Sequence, residues 1–464
     1  MSSNLLKKIE REYPVESITY KGEKIWSLFR LQVNESLRNK EGVTLRTFRF
    51  SWRLFFKSLN SLFYGLNHLF LLSNYKVWAF SSSDRRKIMN SKYVDRVLGG
   101  IVDQYSDTLI FENPYPLNRH FSKKETDSKK IISQAILWGA TKFLSLFLNN
   151  KLKIENEDLL IAILKKYQVQ IDYKKILINY IAQYKLFSVI LGITQPKVVF
   201  FVYSASSMGY IKALKRKKIP VVELQHGVIN KAHYAYNVHK DLGKELFPDY
   251  LFCYGDYELE VFGSHNFFIS RDMVFPIGYY YLDEVSKTSN YESYRGLLRK
   301  TYTTIVTYSF QEPFESYIFD FLIQVAKLNP LVCYLLVPRD THRNYSSYNI
   351  PDNIIVQKKM NIYECIIISD FHSTINSTCA IESLCLGVPN ILFNYRDWAI
   401  TYYKDMLQED NSKFVKTPQG FIDVINNNDF PSKREIINNS KKYIYGDYKN
   451  RLKLVMDNNV FKNN

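Results

Sequence analysis

The chain has 464 residues, more than one hydrophobic core usually serves, so its length predicts two domains. Hydrophobic residues make up 46% and charged residues 23%, a composition that excludes a disordered chain. Lysine and arginine outnumber aspartate and glutamate by 62 to 45, and the net charge of +17 predicts attraction to phosphates, acidic sugars, anionic lipid or nucleic acid.

The five cysteines are scattered without CxxC spacing, which argues against a disulfide framework or a zinc site and favours a reducing cytoplasm. The N-terminal stretch MSSNLLKKIEREYP lacks the apolar core of a signal peptide, and no run of about 18 apolar residues occurs in the chain. We therefore expect a cytoplasmic protein, either soluble or peripheral on the inner face of the cytoplasmic membrane.

Residues 43–78 mix cations with aromatic rings. The cations are Arg46, Arg49, Arg53 and Lys57, and the rings around them include Phe48, Phe50, Trp52, Phe55 and Phe56. A helix of this kind can lie in a membrane interface, with its rings at headgroup level and its cations against anionic lipid. It can also be a core helix whose cationic side faces water. An anionic membrane surface is therefore a candidate partner that the sequence leaves open.

From about residue 75, short apolar runs alternate with helical stretches. The predicted elements of the first half are the strands KVWAF and TLIFE, a helical region over 129–190, the strand KVVFFVY, the helix IKALKRKKI and the strands PVVEL, DYLFCYG and MVFPIG. Apolar strands that alternate with helices indicate a parallel sheet covered on both faces. This pattern predicts a Rossmann-like domain over 1–284, followed by a polar linker over 285–300.

A second alternation begins after the linker. Its predicted elements are the strand TTIVTYS, a helix over 313–329, the strands LVCYLLV, NIIVQ and CIIIS, a helix over 376–386 and the strand PNILFN. The sequence thus predicts a second Rossmann-like domain over 301–464. The fold class is α/β, with two doubly wound domains that face each other across a cleft.

The first candidate site follows the strand PVVEL. Ligands of parallel sheets bind where strands end, and Glu223, Gln225 and His226 stand at such an end, before Gly227. Glycine allows a sharp turn or a close approach of the backbone to a ligand, and a neutral histidine suits general base duty. The alternative is a structural histidine whose hydrogen bonds are made inside the loop.

The residues after this turn extend the same loop. Lys231, His233 and Tyr236 add a cation and hydrogen-bonding groups on the acceptor side. His226, His233 and His239 lack a carboxylate at matching spacing, so no metal site is predicted.

The second candidate site follows the run CIIIS, in which a strand is predicted over Ile366–Ile368. The hydroxyls of Ser373, Thr374, Ser377 and Thr378 precede a predicted helix, where free N–H groups favour a phosphate. Glu382 follows one turn into that helix and suits the paired hydroxyls of a ribose or sugar. An ordinary helix cap with an ordinary glutamate is the alternative.

A third, weaker group completes the donor side. Arg339 and His342 in VPRDTHR offer cations to a phosphate, and Ser309 and Gln311 follow the first strand of the second half. No Walker loop, GxSxG elbow or GxGxxG turn after a strand occurs, which counts against P-loop, hydrolase and dinucleotide-binding proteins.

Several motifs between residues 195 and 395 carry a family resemblance. They are the stretches ITQPKVVFFVYS, IPVVELQHGVINKAHYAY, FPDYLFCYGDYE and FPIGYYYLD. A further block over 373–389 contains Ser-Thr at 373–374, Glu-Ser at 382–383 and Gly-Val-Pro at 387–389. Together they resemble bacterial GT-B glycosyltransferases of capsule and O-antigen assembly, and more distantly the sialic acid, Kdo and polyol-phosphate transferases. Sialyltransferase-like members carry a His-Pro pair after the strand that reads LLV here; it is absent, so Arg339 or His342 would replace it.

The resemblance implies a nucleotide-sugar donor on the second domain, a glycan or lipid-linked glycan acceptor on the first, and transfer without a metal or cofactor. We expect an inverting glycosyltransferase in which His226 is the base or orients the acceptor, with Glu223 as the less favoured alternative. The hydroxyls of 373–378 and Arg339 are expected to bind phosphate. A polyol-phosphate transferase of the same architecture is one alternative, and a non-catalytic polyanion-binding protein is another. Nucleic acid is not an expected partner, because no nucleic-acid-binding motif is recognisable.

Overall fold

The computed structural model describes most of the chain. The described ranges are 2–40, 61–89, 91–114, 120–148, 152–231, 233–263, 265–287, 291–310, 314–338 and 345–462. The chain forms two compact units. The first comprises Met1–Tyr254, Glu258–Ile277 and Tyr448–Asn464, and the second comprises Gly255–Tyr257 and Gly278–Asp447.

A seven-stranded parallel sheet forms the centre of the first unit. Its strands are β3 (Val77–Ser82), β6 (Thr108–Asn113), β7 (Ile131–Ser133), β8 (Val198–Phe201), β9 (Val221–Leu224), β10 (Tyr250–Cys253) and β11 (Val274–Pro276), in the order β11-β10-β9-β8-β3-β6-β7. Runs such as VWAF and VVFF are buried throughout, because helices cover both faces of the sheet. The chain order reverses between β3 and β8, which pair directly.

Helices and two small antiparallel ribbons surround this sheet. The helices are α1 (Ser2–Glu12), α2 (Trp26–Lys40), α3 (Gly99–Gln104), α4 (Gln134–Leu146), α5 (Glu157–Lys166), α6 (Tyr173–Ile193) and α7 (Met208–Arg216). The ribbons pair β1 (Thr19–Tyr20) with β2 (Glu23–Lys24), and β4 (Arg86–Met89) with β5 (Lys92–Asp95). The core stacks the rings of Phe111 and Phe201 on Phe80, with ring centroids 4.7 and 4.6 Å away.

The helical region predicted over 129–190 is wrong at its start. Residues 131–133 form β7, and the following residues divide into α4, α5 and α6. Two consecutive β-branched isoleucines favour the short strand, and Ser133 then caps α4 by accepting a hydrogen bond from the backbone N–H of Ala135.

The second unit contains a six-stranded parallel sheet. Its strands are β12 (Thr304–Ser309), β13 (Val332–Val337), β14 (Ile354–Val356), β15 (Phe371–Ser373), β16 (Asn390–Phe393) and β17 (Ser412–Val415), in the order β14-β13-β12-β15-β16-β17. The chain order reverses between β12 and β15, the first and fourth strands of this sheet, as it does in dinucleotide-binding domains.

The helices of this unit precede, alternate with and follow its strands along the chain, and a last helix belongs to the first unit. They are α8 (Tyr280–Val285), α9 (Glu292–Leu298), α10 (Glu315–Leu328), α11 (Ile362–Ile368), α12 (Cys379–Cys385), α13 (Trp398–Tyr403), α14 (Pro418–Asn427), α15 (Lys433–Ser440) and, in the first unit, α16 (Tyr448–Val455). Lys449 of α16 pairs with Asp103 of α3 at 3.1 Å.

The strand predicted over Ile366–Ile368 is wrong, because these residues end α11. Asn361 and Glu364 form a capping box at the start of that helix, and the strand of this region is β15, five residues later than predicted. The predicted polar linker over 285–300 contains a helix. This helix is α9, whose Leu298 is buried against Ile305 and Cys333 in the core of the second unit.

The basic aromatic segment is described only in part. Residues 43–60 of the predicted 43–78 segment lie outside the described residues, and Leu66–Asn74 forms a 3-10 helix before β3. Within the described chain, α6 is the single helix that is long and apolar enough to cross a membrane by length and composition, and seven of its residues are buried in the first unit.

Candidate functional site

The first candidate site lies at the carboxyl edge of the first sheet. The parallel strands β3, β8 and β9 are neighbours and end on the same side, so the residues that follow them come together. Arg85 follows β3, Tyr203 follows β8 and His226 follows β9. The reversal of chain order between β3 and β8 places this edge where ligands of doubly wound sheets bind.

His226 has a half-buried imidazole whose Nδ1 has no hydrogen-bond partner among the described residues. Its ring meets the ring of Tyr203 edge to face, with centroids 5.7 Å apart. Burial lowers the pKa of His226 well below its usual range, and the neighbouring Arg85, His233 and Arg96 side chains lower it further. The imidazole is therefore neutral at pH 7 and can accept a proton or a hydrogen bond.

Arg85 and Arg96 supply positive charge beside His226. Arg85 precedes β4 and Arg96 follows β5, and the antiparallel pairing of these strands brings the two residues together, with the Arg96 N–H donating to the Arg85 carbonyl at 3.2 Å. Burial and the charge of Arg96 lower the pKa of Arg85. Neither arginine was predicted as a site residue, because the hairpin register that joins them to His226 is not visible in the sequence.

Glu223 lies on β9, three residues before His226, and is only 2% exposed. Its Oε1 accepts a hydrogen bond from the Tyr236 hydroxyl at 2.7 Å. Burial raises the pKa of Glu223 to about 7, although hydrogen bonds with Ser204 and Tyr236 oppose the rise. Burial thus favours the protonated form of this carboxyl group, and the Tyr236 hydroxyl is engaged by Glu223 rather than by a ligand.

The side chain of Gln225 stabilises the loop through three hydrogen bonds. It donates to Glu258 at 2.7 Å and to the Gly227 carbonyl at 2.9 Å, and it accepts from the N–H of Tyr254 at 2.6 Å. The backbone at Gly227 does not itself require a glycine, and the close approach to a ligand that glycine would allow stays a prediction. A Cβ at Gly227 would meet nothing within 4 Å, and its φ is not positive, so the turn needs no glycine. Because no atom lies within 4 Å of that position, the space at Gly227, next to His226 in the chain, is open.

The other loop residues differ in exposure. Lys231 is exposed to solvent. His233 is half-buried and stacks on Tyr234 with ring centroids 5.6 Å apart, and its Nδ1 has no hydrogen-bond partner among the described residues. Burial lowers the pKa of His233 to about 4, so this ring is also neutral at pH 7.

The second candidate site lies at the carboxyl edge of the second sheet, where β12 and β15 pair. Ser309 ends β12, and its hydroxyl donates to Nε2 of His372 at 3.0 Å. Nδ1 of His372 donates to Oδ1 of Asn390 at 2.8 Å. This network is buried, and burial lowers the pKa of His372 to about 4. His372 and Asn390 were not predicted, although a histidine inside an apolar strand was a visible signal.

The four predicted hydroxyls of this edge have different surroundings. Ser373 and Thr374 are completely buried, and Thr374 donates to the carbonyl of Ser309 at 3.2 Å, which ties β12 to β15. Ser377 and Thr378 lie before α12, where Ser377 is buried with 9% of its surface exposed and Thr378 is half-buried. The hydroxyl of Ser377 accepts from the N–H of Cys379 at 3.3 Å, whereas Thr378 makes no side-chain cap bond.

Of the remaining predicted donor ligands, only Glu382 lies within the described residues. Glu382 is 1% exposed inside α12, so its carboxylate is not presented to solvent. Gln311, Arg339 and His342 lie outside the described residues. No group of three or more His, Cys, Asp or Glu residues that could hold a metal ion occurs in the described ranges.

No protein-family description and no curated protein matches this sequence. Solved structures resemble its fold. MnaA of S. aureus in complex with UDP has a TM-score of 0.51 at 11% identity and covers 84% of this chain and 97% of that chain. The wall teichoic acid polymerase TagF has a TM-score of 0.49 at 14% identity, covering 89% and 99%. UDP-GlcNAc 2-epimerase from Neisseria meningitidis bound to UDP-GlcNAc has a TM-score of 0.47 at 14% identity and covers 84% of this chain and 100% of that chain.

The likeness to MnaA concerns the fold alone, since the sequence identity is so low. With the two parallel sheets it confirms the predicted α/β class and the pair of doubly wound, Rossmann-like units of the GT-B fold.

Proposed function

We propose that this protein is a GT-B glycosyltransferase that moves a sugar from a nucleotide-sugar donor onto a growing bacterial surface polysaccharide or its lipid-linked precursor. The observation that supports it most is the edge where neutral His226 lies beside Arg85 and Arg96. Such an edge can accept a proton and hold an anion. The UDP in the MnaA structure supports a nucleotide as ligand of the shared fold.

In the proposed reaction, His226 takes the proton of an acceptor hydroxyl. The acceptor oxygen forms a bond to the anomeric carbon, and the bond from that carbon to the nucleotide phosphate breaks, which inverts the configuration in one displacement. The imidazolium that forms is disfavoured by the two arginines. An anionic group of the acceptor bound to Arg85 and Arg96 offsets this repulsion, so we expect an acceptor that carries a phosphate, as a lipid-linked glycan does.

Glu223 is the second candidate for the base. Its pKa of about 7 suits proton transfer at neutral pH. We keep it second because it is buried and its Oε1 is already engaged by Tyr236.

The donor is proposed to bind the second unit at the edge of β12 and β15. Thr378 is half-buried there, whereas Ser309, Ser373, Thr374 and Ser377 are buried, so Thr378 is the most accessible of these hydroxyl residues. Gln311, Arg339, His342 and a sugar contact for Glu382 stay predictions. Protein cations would carry the charge of the departing phosphate, so the proposal includes no metal or cofactor.

A polyol-phosphate transferase is a second candidate function, and the arginine pair favours it. A polyol-phosphate chain carries an anion in every repeat, which Arg85 and Arg96 could bind. Its product would be a phosphodiester, whereas a glycosyltransferase forms a glycoside. A polyanion-binding protein, the third alternative, would need no nucleotide.

Thermal denaturation with UDP, GDP, CMP and CDP compounds tests the proposal. One nucleotide should raise the melting temperature, because a ligand that binds only the native state stabilises it. His226→Ala should retain this shift and lose turnover with the matching donor, and His265→Ala, which changes an exposed histidine of the same unit, should retain both. Stabilisation by every polyanion and by no particular nucleotide would contradict the proposal.

A further inference from the structure

Helix α4 is apolar on its outward face as well as its inward face. Leu137 and Thr141 are buried in the first unit, whereas Trp138, Phe143 and Leu146 are exposed, Leu146 by 79%. Phe147, which caps the helix, is also exposed and packs edge to face on Phe143, with ring centroids 4.9 Å apart. A surface helix ordinarily carries charged residues outward, yet Lys142 is the only charge between residues 134 and 148.

Residues 61–71 extend this surface. The side chain of Leu62 lies 3.8 Å from the position that a Cβ on Gly139 of α4 would take, and the Tyr64 carbonyl accepts the N–H of Ser133 at 3.0 Å. Phe63 and Phe70 are exposed on this segment, Phe70 by 85%. We call the following set the apolar face: Phe63, Leu66, Phe70, Leu71, Trp138, Phe143, Leu146 and Phe147.

Cations border the apolar face. Lys123 lies 5.8 Å from the ring centroid of Tyr64, Lys130 lies 5.9 Å from that of Tyr75, and Lys129 is exposed next to it. No aspartate or glutamate occurs in residues 61–83 or 134–154. Two acidic residues, Glu125 and Asp127, lie between Lys123 and Lys130 in the sequence. Asp127 forms an ion pair with Arg86 at 2.8 Å.

We propose that the apolar face docks onto the surface of an anionic lipid bilayer. Exposed Trp and Phe rings with lysines in adjoining segments match the layered chemistry of such a surface, in which rings enter the headgroup region and ammonium groups meet lipid phosphates. A second copy of this chain would bring the same lysines against each other, so charge complementarity favours lipid. This proposal does not depend on the proposed transfer reaction.

Co-sedimentation of the full chain with vesicles tests the docking. The protein should bind vesicles that contain phosphatidylglycerol and bind pure phosphatidylcholine weakly, because the charge term needs anionic lipid. The double variant Phe143→Ser/Phe147→Ser should lower the bound fraction about tenfold, since both rings leave the interface. Leu328→Ser/Leu331→Ser, a matched pair of half-exposed leucines on the second unit, should bind as the wild type does.

Fluorescence and light scattering separate the other outcomes. Anionic vesicles should shift the tryptophan fluorescence emission of the wild type to shorter wavelengths. The Trp138→Phe variant should lose most of that shift and keep the wild-type melting temperature. Binding that the Phe143/Phe147 variant retains in full would overturn the proposal. So would a wild-type dimer that this variant converts to a monomer without any change in vesicle binding, because a second copy would then cover the face.

Discussion

Arg85 acts on His226 because both side chains lie at the carboxyl edge of one sheet. A neighbouring positive charge disfavours the imidazolium, so Arg85→Gln should raise the pKa of His226, while Arg85→Lys, which keeps the charge, should change it little. Titration of histidine signals by NMR, assigned through His226→Ala, measures this. The same pKa in wild type and Arg85→Gln would show that the two side chains do not interact.

The same coupling predicts the pH dependence of turnover. In the free protein the pKa of His226 is well below 6.5, so the acid limb of kcat/KM should lie at low pH. A bound anionic acceptor neutralises the arginines and raises that pKa, so the acid limb of kcat should lie at higher pH. Coincident limbs in the two profiles would argue against an anion at Arg85 and Arg96.

Glu223 should make stability depend on pH in the direction opposite to most carboxylates. The native state holds its proton up to a pKa of about 7, whereas the unfolded chain releases it near 4.5. Stability is therefore greatest below 4.5 and falls as the pH rises through 7, by on the order of 3 kcal/mol.

The variant Glu223→Gln cannot lose this proton. Its melting temperature should exceed that of the wild type at pH 8 and match it near pH 4.5. Glu260→Gln, at an exposed glutamate of the same unit, is the control and should behave as the wild type at both pH values. Equal melting temperatures of Glu223→Gln and wild type at pH 8 would refute the buried, proton-holding carboxyl group.

At the scale of elements, α11 shows what the sequence could and could not reveal. Three consecutive isoleucines are compatible with a buried strand or a buried helix, and periodicity does not separate the two over so short a run. The sequence feature that distinguishes a helix from a strand here is NIYE at 361–364, which forms a capping box at the start of a helix.

This cap predicts a measurable loss of stability. Asn361→Ala should lower the free energy of unfolding by about 1 kcal/mol, because the N–H groups of Tyr363 and Glu364 lose their acceptor. Asn361→Asp keeps an acceptor oxygen and should stay near wild type. Denaturant unfolding measures both, and equal losses in the two variants would mean that the side-chain cap does not stabilise the helix.

For the whole molecule, alternating apolar runs were enough to predict two doubly wound units, because strands covered on both faces must be apolar throughout. Polar residues at strand ends likewise led to His226 and Glu223 as candidate site residues, and their roles stay predictions. The sequence could not show that the β4–β5 hairpin brings Arg85 and Arg96 to the same edge, or that Ser373 and Thr374 point into the protein. Both facts depend on pairing between distant segments.

The most direct test of the central claim is product analysis with purified protein, the stabilising nucleotide in its sugar-linked form, and a lipid-linked phosphorylated acceptor. We predict a glycoside formed without added metal, turnover lowered about a hundredfold or more in His226→Ala, and wild-type turnover in His265→Ala. A phosphodiester product would instead identify a polyol-phosphate transferase. Full activity of a correctly folded His226→Ala protein would contradict the site that we assign.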